Sequence, residues 1–277
     1  MKLSYNTNGF ARFSIEETVE TLGRLGYEGV EIARTHRVDE LNKQDRGKLL
    51  KLIKSVGLQV ASIQGGNPYL DEKFAKARID LAVELECPVV SLGCGRLIMD
   101  ESKRESIWVE VRDAFRELSK YAAQKGVIPV IEPEPPVFLA GERGQVCERL
   151  IGRSEDAERM FREVGVDNLG LLIDIGHVYV MEENVLSVIE KFGKKIVHVH
   201  MEDIVDRMHF HFLPGTGMVD FEGVVRALAK INYKRFLSIE LEAHVWDPKK
   251  AALESIKYMD SLLYRLGLKQ GGIFGST

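Results

Sequence analysis

Gly170-Leu171-Leu172-Ile173-Asp174-Ile175-Gly176-His177 decides how this chain is to be read. A short apolar run ends in a carboxylate, a turn containing glycine follows, and an amphipathic stretch, Asn184–Phe192, comes next. That order predicts a strand followed by a helix. Outward from this stretch, in both directions, the same unit recurs. The apolar runs are Leu3–Asn6, Gly29–Ile32, Gln59–Ile63, Val89–Leu92, Ile128–Ile131, Gly170–Ile173, Ile196–Val199 and Phe236–Ile239, eight in all. Helical patterns follow them at Ile15–Leu25, Asp39–Val56, Glu72–Leu85, Lys103–Lys125, Ser154–Val164, Asn184–Phe192, Phe221–Ile231 and Pro248–Leu266, the second of them interrupted by Gly47.

Strands alternating with helices point to βαβ units and a parallel sheet. Helix exits are marked by Gly26, Gly57, Gly126 and Gly165, where a glycine adopts positive φ cheaply. Ser14 and Glu17 have capping-box spacing ahead of the first helix. Eight such units, with no GxGxxG after the first strand, favour a closed (β/α)8 TIM barrel over an open doubly wound sheet. The 277 residues suffice for one barrel, so residues 1–277 are expected to form a single domain.

Apolar residues make up 45% and charged residues 29%, which disfavours disorder and membrane spanning. A formal net charge of −4 speaks against a nucleic-acid partner, whose binders are usually basic. Cys87, Cys94 and Cys147 are odd in number and show no CxxC spacing, so free thiols in a reducing compartment are expected. The first residues lack an apolar targeting segment, and the expected location is the cytoplasm.

In a barrel of this kind the active site lies at the C-terminal ends of the strands. Strands five to eight end in Val130-Ile131-Glu132, Leu172-Ile173-Asp174, His198-Val199-His200 and Ser238-Ile239-Glu240. Each has an ordinary reading: Glu132 as loop entry before Pro133, Asp174 as a helix cap, one histidine as a satisfied core residue, Glu240 as half of an ion pair. His198 and His200 share a face, with His198 one layer deeper. Together, three carboxylates and an imidazole at one rim would repel without a cation. The set suits one divalent metal ion, Mn, Mg, Co or Zn.

These segments resemble the xylose isomerase-like superfamily of sugar isomerases, epimerases and apurinic endonucleases. The resemblance rests on Val130-Ile131-Glu132-Pro133, Leu172–His177, Val197–Asp203, Leu213-Pro214-Gly215-Thr216-Gly217 and Ser238-Ile239-Glu240-Leu241, with a softer match at Gly26–Ile32. It covers essentially the whole chain. It implies that Glu132, Asp174, His200 and Glu240 are metal ligands and that Glu132 and Glu240 also shuttle a proton. It further implies a small carbohydrate substrate, contacted by His177. Arg207 lies near the arginine that binds the ketose end, one residue further from His200 than in those epimerases. The reaction it implies moves a proton next to a carbonyl through an enediolate stabilised by the metal.

Asn6, Asn8, Arg34, His36, Gln64 and Cys94 lie at the ends of the first four strands and are candidate substrate contacts, His36 and Gln64 foremost. Trp108 reads as helix packing, and Trp246 has no assigned role. The competing reading is a metal-dependent phosphodiesterase of the apurinic endonuclease type, which resembles a three-metal enzyme. Its extra histidines after strands three and four are missing, where the chain reads Gln64-Gly65-Gly66 and Gly93-Cys94-Gly95. His209-Phe210-His211 occupies the region of that branch's Asp-x-His ligands and, with His177, could form part of a second metal site. The pair, His211 included, is read instead as substrate-binding. A barrel that binds without catalysing is a third reading, opposed by the full ligand set. Gly65-Gly66 and Gly215-Thr216-Gly217 could offer backbone N–H groups to a phosphate. A homodimer is compatible with the resemblance, although no patch of sequence declares an interface.

Overall fold

The structure, a computed structural model, describes residues 1–64, 71–139, 145–206, 208–242 and 245–270. The eight expected strands are present: β1 Lys2–Asn6, β2 Gly29–Ile32, β3 Gln59–Gln64, β4 Val89–Ser91, β5 Ile128–Ile131, β6 Gly170–Asp174, β7 Ile196–Met201 and β8 Phe236–Ile239. They close into a parallel barrel in the order β1-β8-β7-β6-β5-β4-β3-β2. Closure is made by β1, which pairs Leu3 with Leu237 and Tyr5 with Ile239 on one side and Tyr5 with Val30 on the other. Three strands end beyond their apolar runs, β3 at Gln64 among them. β6 includes Asp174 and β7 reaches Met201, so that Asp174 and His200 are register partners.

Nine helices lie among the described residues: α1 Ile15–Leu25, α2 Lys43–Ser55, α3 Glu72–Glu84, α4 Arg104–Ala123, α5 Ser154–Val164, α6 Ile175–Val180, α7 Val185–Phe192, α8 Phe221–Lys230 and α9 Pro248–Arg265. The capping box of α1 forms, with the Glu17 amide donating to Ser14 Oγ at 3.1 Å. Gly26, Gly57, Gly126 and Gly165 all have φ between 66° and 89° at helix exits. The second helix starts later than its pattern predicts. Val38–Glu40 forms a separate 3-10 turn, and Asn42 caps α2 by accepting from the Asp45 amide. Gly47 does not break α2, because it faces solvent and the helix is packed through Leu49 and Ile53 on the other side.

Packing divides into two shells. Between strands and helices the core is apolar, with Leu22, Ile53, Ile79, Phe115, Leu228 and Ile256 fully buried. Each such side chain contributes roughly 1.5–3 kcal/mol relative to exposure. Trp108 belongs here: it is buried in α4, and its indole N–H donates to Glu163 at 2.7 Å. The barrel lumen is different. Ser4, Glu31, Ser62, His198 and Ser238 are all buried there at 0–1% exposure. Val89, Val130 and Leu172 form a separate apolar cluster below the strand ends, and the small serines leave room for charged side chains at the upper end.

Two small sheets cover that upper end. Leu97–Ile98, Val137–Leu139 and Gln145–Arg149 form one, and Asp203–Val205 with Met208–Phe212 form a hairpin directly after β7. No described helix is long and apolar enough to cross a membrane.

Candidate metal centre

Four strand ends bring their side chains to one point. Glu132 follows β5, Asp174 ends β6, His200 lies in β7 and Glu240 follows β8, and all four are at least 93% buried. One donor atom from each lies within 4.8 Å of the others. His200 Nδ1 is the hub, with Glu240 Oε2 at 2.8 Å, Glu132 Oε1 at 3.1 Å and Asp174 Oδ2 at 3.4 Å. None of these approaches has the direction of a hydrogen bond. His200 Nδ1 and Asp174 Oδ2 are buried without a hydrogen-bond partner. Buried polar atoms are seldom left so. The lone pairs converge on a shared point instead of on one another, which is the arrangement a cation ligand set requires. Three oxygens and one imidazole nitrogen fit a divalent ion.

The residues around this set decide which lone pairs are available. Glu31, in β2, reaches across the lumen between His198 and His200. Its Oε1 accepts from His200 Nε2 at 2.9 Å, and its Oε2 lies 2.8 Å from His198 Nε2. Because a carboxylate only accepts, the proton sits on His200 Nε2 and Nδ1 is turned to the carboxylates. His198 is thus the satisfied core histidine and His200 the one at the centre. Asn6 and Gln64 both donate to Glu240 Oε1, at 2.8 and 2.6 Å, leaving Oε2 to face His200. Ser91 approaches Glu132 Oε2 at 3.5 Å.

Asp174 divides its two oxygens between the helix cap and the cluster. Its Oδ1 caps α6 by accepting from the His177 amide at 3.0 Å, while Oδ2 points to the centre. Electrostatics follow the geometry. Burial disfavours a charged His200 ring, but Glu240, Glu31 and Glu132 outweigh it and hold the ring well above the usual histidine range. Burial pushes the Glu132 carboxyl up to about 8, with His200 pulling the other way. A divalent ion at the shared point would take the place of the proton that His200 holds in its absence.

The remaining candidates are spread around the mouth. His177 is buried one helical turn beyond Asp174, its Nδ1 donating to the Pro133 carbonyl at 2.9 Å. His211 lies 4.0 Å from Glu240 Oε2 and 2.8 Å from Glu202 Oε2. Gln64 meets the centre through Glu240. His36 is half-buried in the turn after β2, its ring near the backbone of Phe10 and Phe13. Arg207, Gly65 and Gly66 lie outside the described residues. Asn8 accepts from Thr35 Oγ1, Arg34 stands 5.9 Å from the Phe74 ring, and Cys94 is fully buried.

The glycines after Pro214 are not a free cradle. Asp203 accepts from the amides of Ile204, Gly215, Gly217 and Val219 at 2.7–3.0 Å, so these N–H groups are spent on closing the loop. Glu31 and Glu202 were not singled out by sequence reasoning. For Glu31 the signal was available, a lone charge within the apolar strand Gly29–Ile32, where burial demands a partner.

Sequence comparison finds relatives along nearly the full chain. Fructoselysine 3-epimerase of Escherichia coli O157:H7 is 24% identical over 280 residues, covering 95% of this chain and 98% of that one. Inosose dehydratase of Glaesserella parasuis is 26% identical over 290 residues, covering 90% of each. Among solved structures, L-ribulose 3-epimerase superposes with a TM-score of 0.77 at 20% identity, covering 95% of both chains. The IOLI protein, solved with a bound zinc atom, superposes with a TM-score of 0.79 at 19% identity, covering 96% of this chain and 99% of that one. These two superpositions speak to the fold. The family model described as xylose isomerase-like TIM barrel matches residues 19–262, and this chain belongs to that family.

Proposed function

We propose that this chain is a divalent-metal-dependent isomerase or epimerase that moves a proton next to a carbonyl of a ketose, inosose or related small carbohydrate. The observation that carries the reading is a pair of glutamates from strands five and eight that share one nitrogen. Glu132 Oε1 and Glu240 Oε2 stand 3.1 and 2.8 Å from His200 Nδ1. Glu132, Asp174, His200 and Glu240 would hold the ion. Bound there, a divalent cation supplies a Lewis acid for the substrate carbonyl. One glutamate takes the proton as general base, and the other returns a proton as general acid. Since β6 and β7 separate their strands, the two act from different sides of the mouth.

Epimerisation and dehydration beside a carbonyl both begin with loss of that proton. Relatives named fructoselysine 3-epimerase and inosose dehydratase therefore support the same first step. A phosphate group would find no free amides at Gly215 and Gly217, which Asp203 already holds. His177, His211, Gln64, His36 and Arg207 are the proposed contacts for sugar oxygens. An endonuclease-type reading is less well supported: Gln64 and Ser91, at the ends of β3 and β4, donate toward Glu240 and Glu132 where that reading asks for metal ligands. Cys87, Cys94 and Cys147 are free and buried, which suits a reducing cytoplasm, where we place the enzyme.

The test is a panel of ketoses and inososes incubated with the Mn-loaded protein and followed by NMR. The expected result is an epimer, an isomer or a dehydrated product from at least one of them. Failure to convert any, with metal bound, would overturn the reading.

A further inference from the structure

The segment that carries Glu132 brings a second carboxylate to the mouth. Glu132 and Glu134 each precede a proline, which biases both toward extended backbone. Three successive groups then pin the chain. The Glu132 amide donates to the Gly93 carbonyl at 3.3 Å, the Pro133 carbonyl accepts from His177 at 2.9 Å, and the Glu134 amide donates to the Ile151 carbonyl at 3.2 Å. Residues two apart on an extended chain lie on one side, so Glu134 follows Glu132. Its charge reaches the centre: burial raises the Glu132 carboxyl and Glu134 adds to the rise. Burial lowers His177, and Asp174 and Glu134 pull the other way.

Glu134 meets a cation there. Arg149 is the last residue of the strand Gln145–Arg149, in the small sheet over the mouth, and its Nη2 stands 2.8 Å from Glu134 Oε2. The two side chains keep 24% of Glu134 and 18% of Arg149 open to solvent. Arg149 Nε is buried and makes no hydrogen bond, so the guanidinium, with five N–H donors, has binding capacity to spare. Beside the pair lies Cys94, fully buried; burial and the Glu134 charge push its thiol well above the usual range, so that wall stays uncharged. A carboxylate and a guanidinium side by side offer an acceptor and a donor with no net charge.

We propose that Glu134 and Arg149 together recognise two hydroxyl groups on adjacent carbons of the substrate, which makes the preferred substrate an uncharged polyhydroxylated carbonyl compound and not a sugar acid or a sugar phosphate. The inference rests on the reading that a small carbohydrate occupies the mouth, with its carbonyl at the Glu132–Glu240 centre. One hydroxyl donates to Glu134 while its neighbour accepts from Arg149. A carboxylate or phosphate in the same place would gain Arg149 but face Glu134 and Glu132 at once, and like charges repel.

Isothermal titration calorimetry of the Mn-loaded protein tests the pair, with D-fructose, 2-keto-myo-inositol, their monodeoxy forms and fructose 6-phosphate as probes. Wild type should bind one of the two neutral compounds more tightly than fructose 6-phosphate. Arg149→Met and Glu134→Gln should each weaken that compound about tenfold while keeping the wild-type metal content. Neither variant should weaken the one monodeoxy form that lacks the contacted hydroxyl. The charged probe should separate the variants, because Glu134→Gln frees Arg149 and should tighten fructose 6-phosphate, whereas Arg149→Met should not. Unchanged affinities in both variants, or an equal loss across every monodeoxy form, would reduce the pair to a structural clasp and overturn the proposal. So would a wild type that binds neither neutral compound, or one that prefers fructose 6-phosphate. The expected binding losses without conversion of any bound compound would overturn the enzymatic reading and leave the recognition pair standing.

Discussion

The two halves of the barrel mouth carry opposite chemistry. Strands β5 to β8 end in three carboxylates and an imidazole, Glu132, Asp174, Glu240 and His200. Strands β1, β3 and β4 end in neutral donors, Asn6, Gln64 and Ser91, and these are aimed at carboxylates of the other half. On the proposed function the charged half holds the reacting groups, and the neutral half occupies one oxygen of Glu240 and of Glu132. Glu240 shows this most clearly. Its Oε1 takes two amide N–H groups while its Oε2 stays turned to His200 at 2.8 Å. Glu31 is the exception in the first half, a charge set one layer deeper whose task is to orient the two histidines.

If the division holds, changes in the charged half should cost most. Glu132→Gln removes a proton carrier while keeping the shape, and turnover is expected to fall roughly 10²–10⁴-fold. Steady-state rates on the best substrate of the panel check it, and a loss below tenfold would move Glu132 out of the reacting group. Glu31→Gln comes next. It keeps the packing but releases the His200 proton from a charged acceptor, and Mn affinity should drop about 10–100-fold by equilibrium dialysis. Unaltered affinity would reduce Glu31 to a core residue.

Gln64→Leu, in the neutral half, should weaken kcat/KM by about tenfold, in line with the roughly 1.5–3 kcal/mol typical of hydrogen bonds to charged groups, discounted for partial exposure. Its metal content should stay at the wild-type level, and a loss of metal would erase the contrast between the halves. Far from the mouth, Ser14→Ala removes the cap of α1 and is expected to lower stability by about 1 kcal/mol with no change in rate. Urea unfolding and an activity assay on the same sample separate the two effects.

What the sequence reveals divides along a similar line. Each strand end is legible, because an ionisable residue after an apolar run marks where burial stops, and Glu132, Asp174, His200 and Glu240 could be picked out one at a time. Partnerships across the lumen are not legible in that way. Glu31 and His198 are 167 residues apart and meet only because the barrel closes through β1 and β8. The ambiguity between His198 and His200 is likewise resolved by Glu31, which binds both and leaves only one with a nitrogen at the carboxylates. Asp174 could be read as a cap or as a ligand because a carboxylate has two oxygens; one caps α6 and the other faces the cluster. The glycine-rich run after Pro214 looked available for phosphate, since a sequence does not say where backbone N–H groups point. Asp203 takes them.

Hydrogen exchange at the carbon beside the substrate carbonyl is the most direct test of the central claim. Mn-loaded wild type and Glu240→Gln should each be incubated with a converted substrate in D2O, with bound metal measured on both. Deuterium should enter that carbon in the wild type and fall at least a hundredfold in Glu240→Gln, with the metal still in place. Exchange at the wild-type rate in a metal-loaded Glu240→Gln chain, or conversion by the wild type with no deuterium uptake at all, would contradict it.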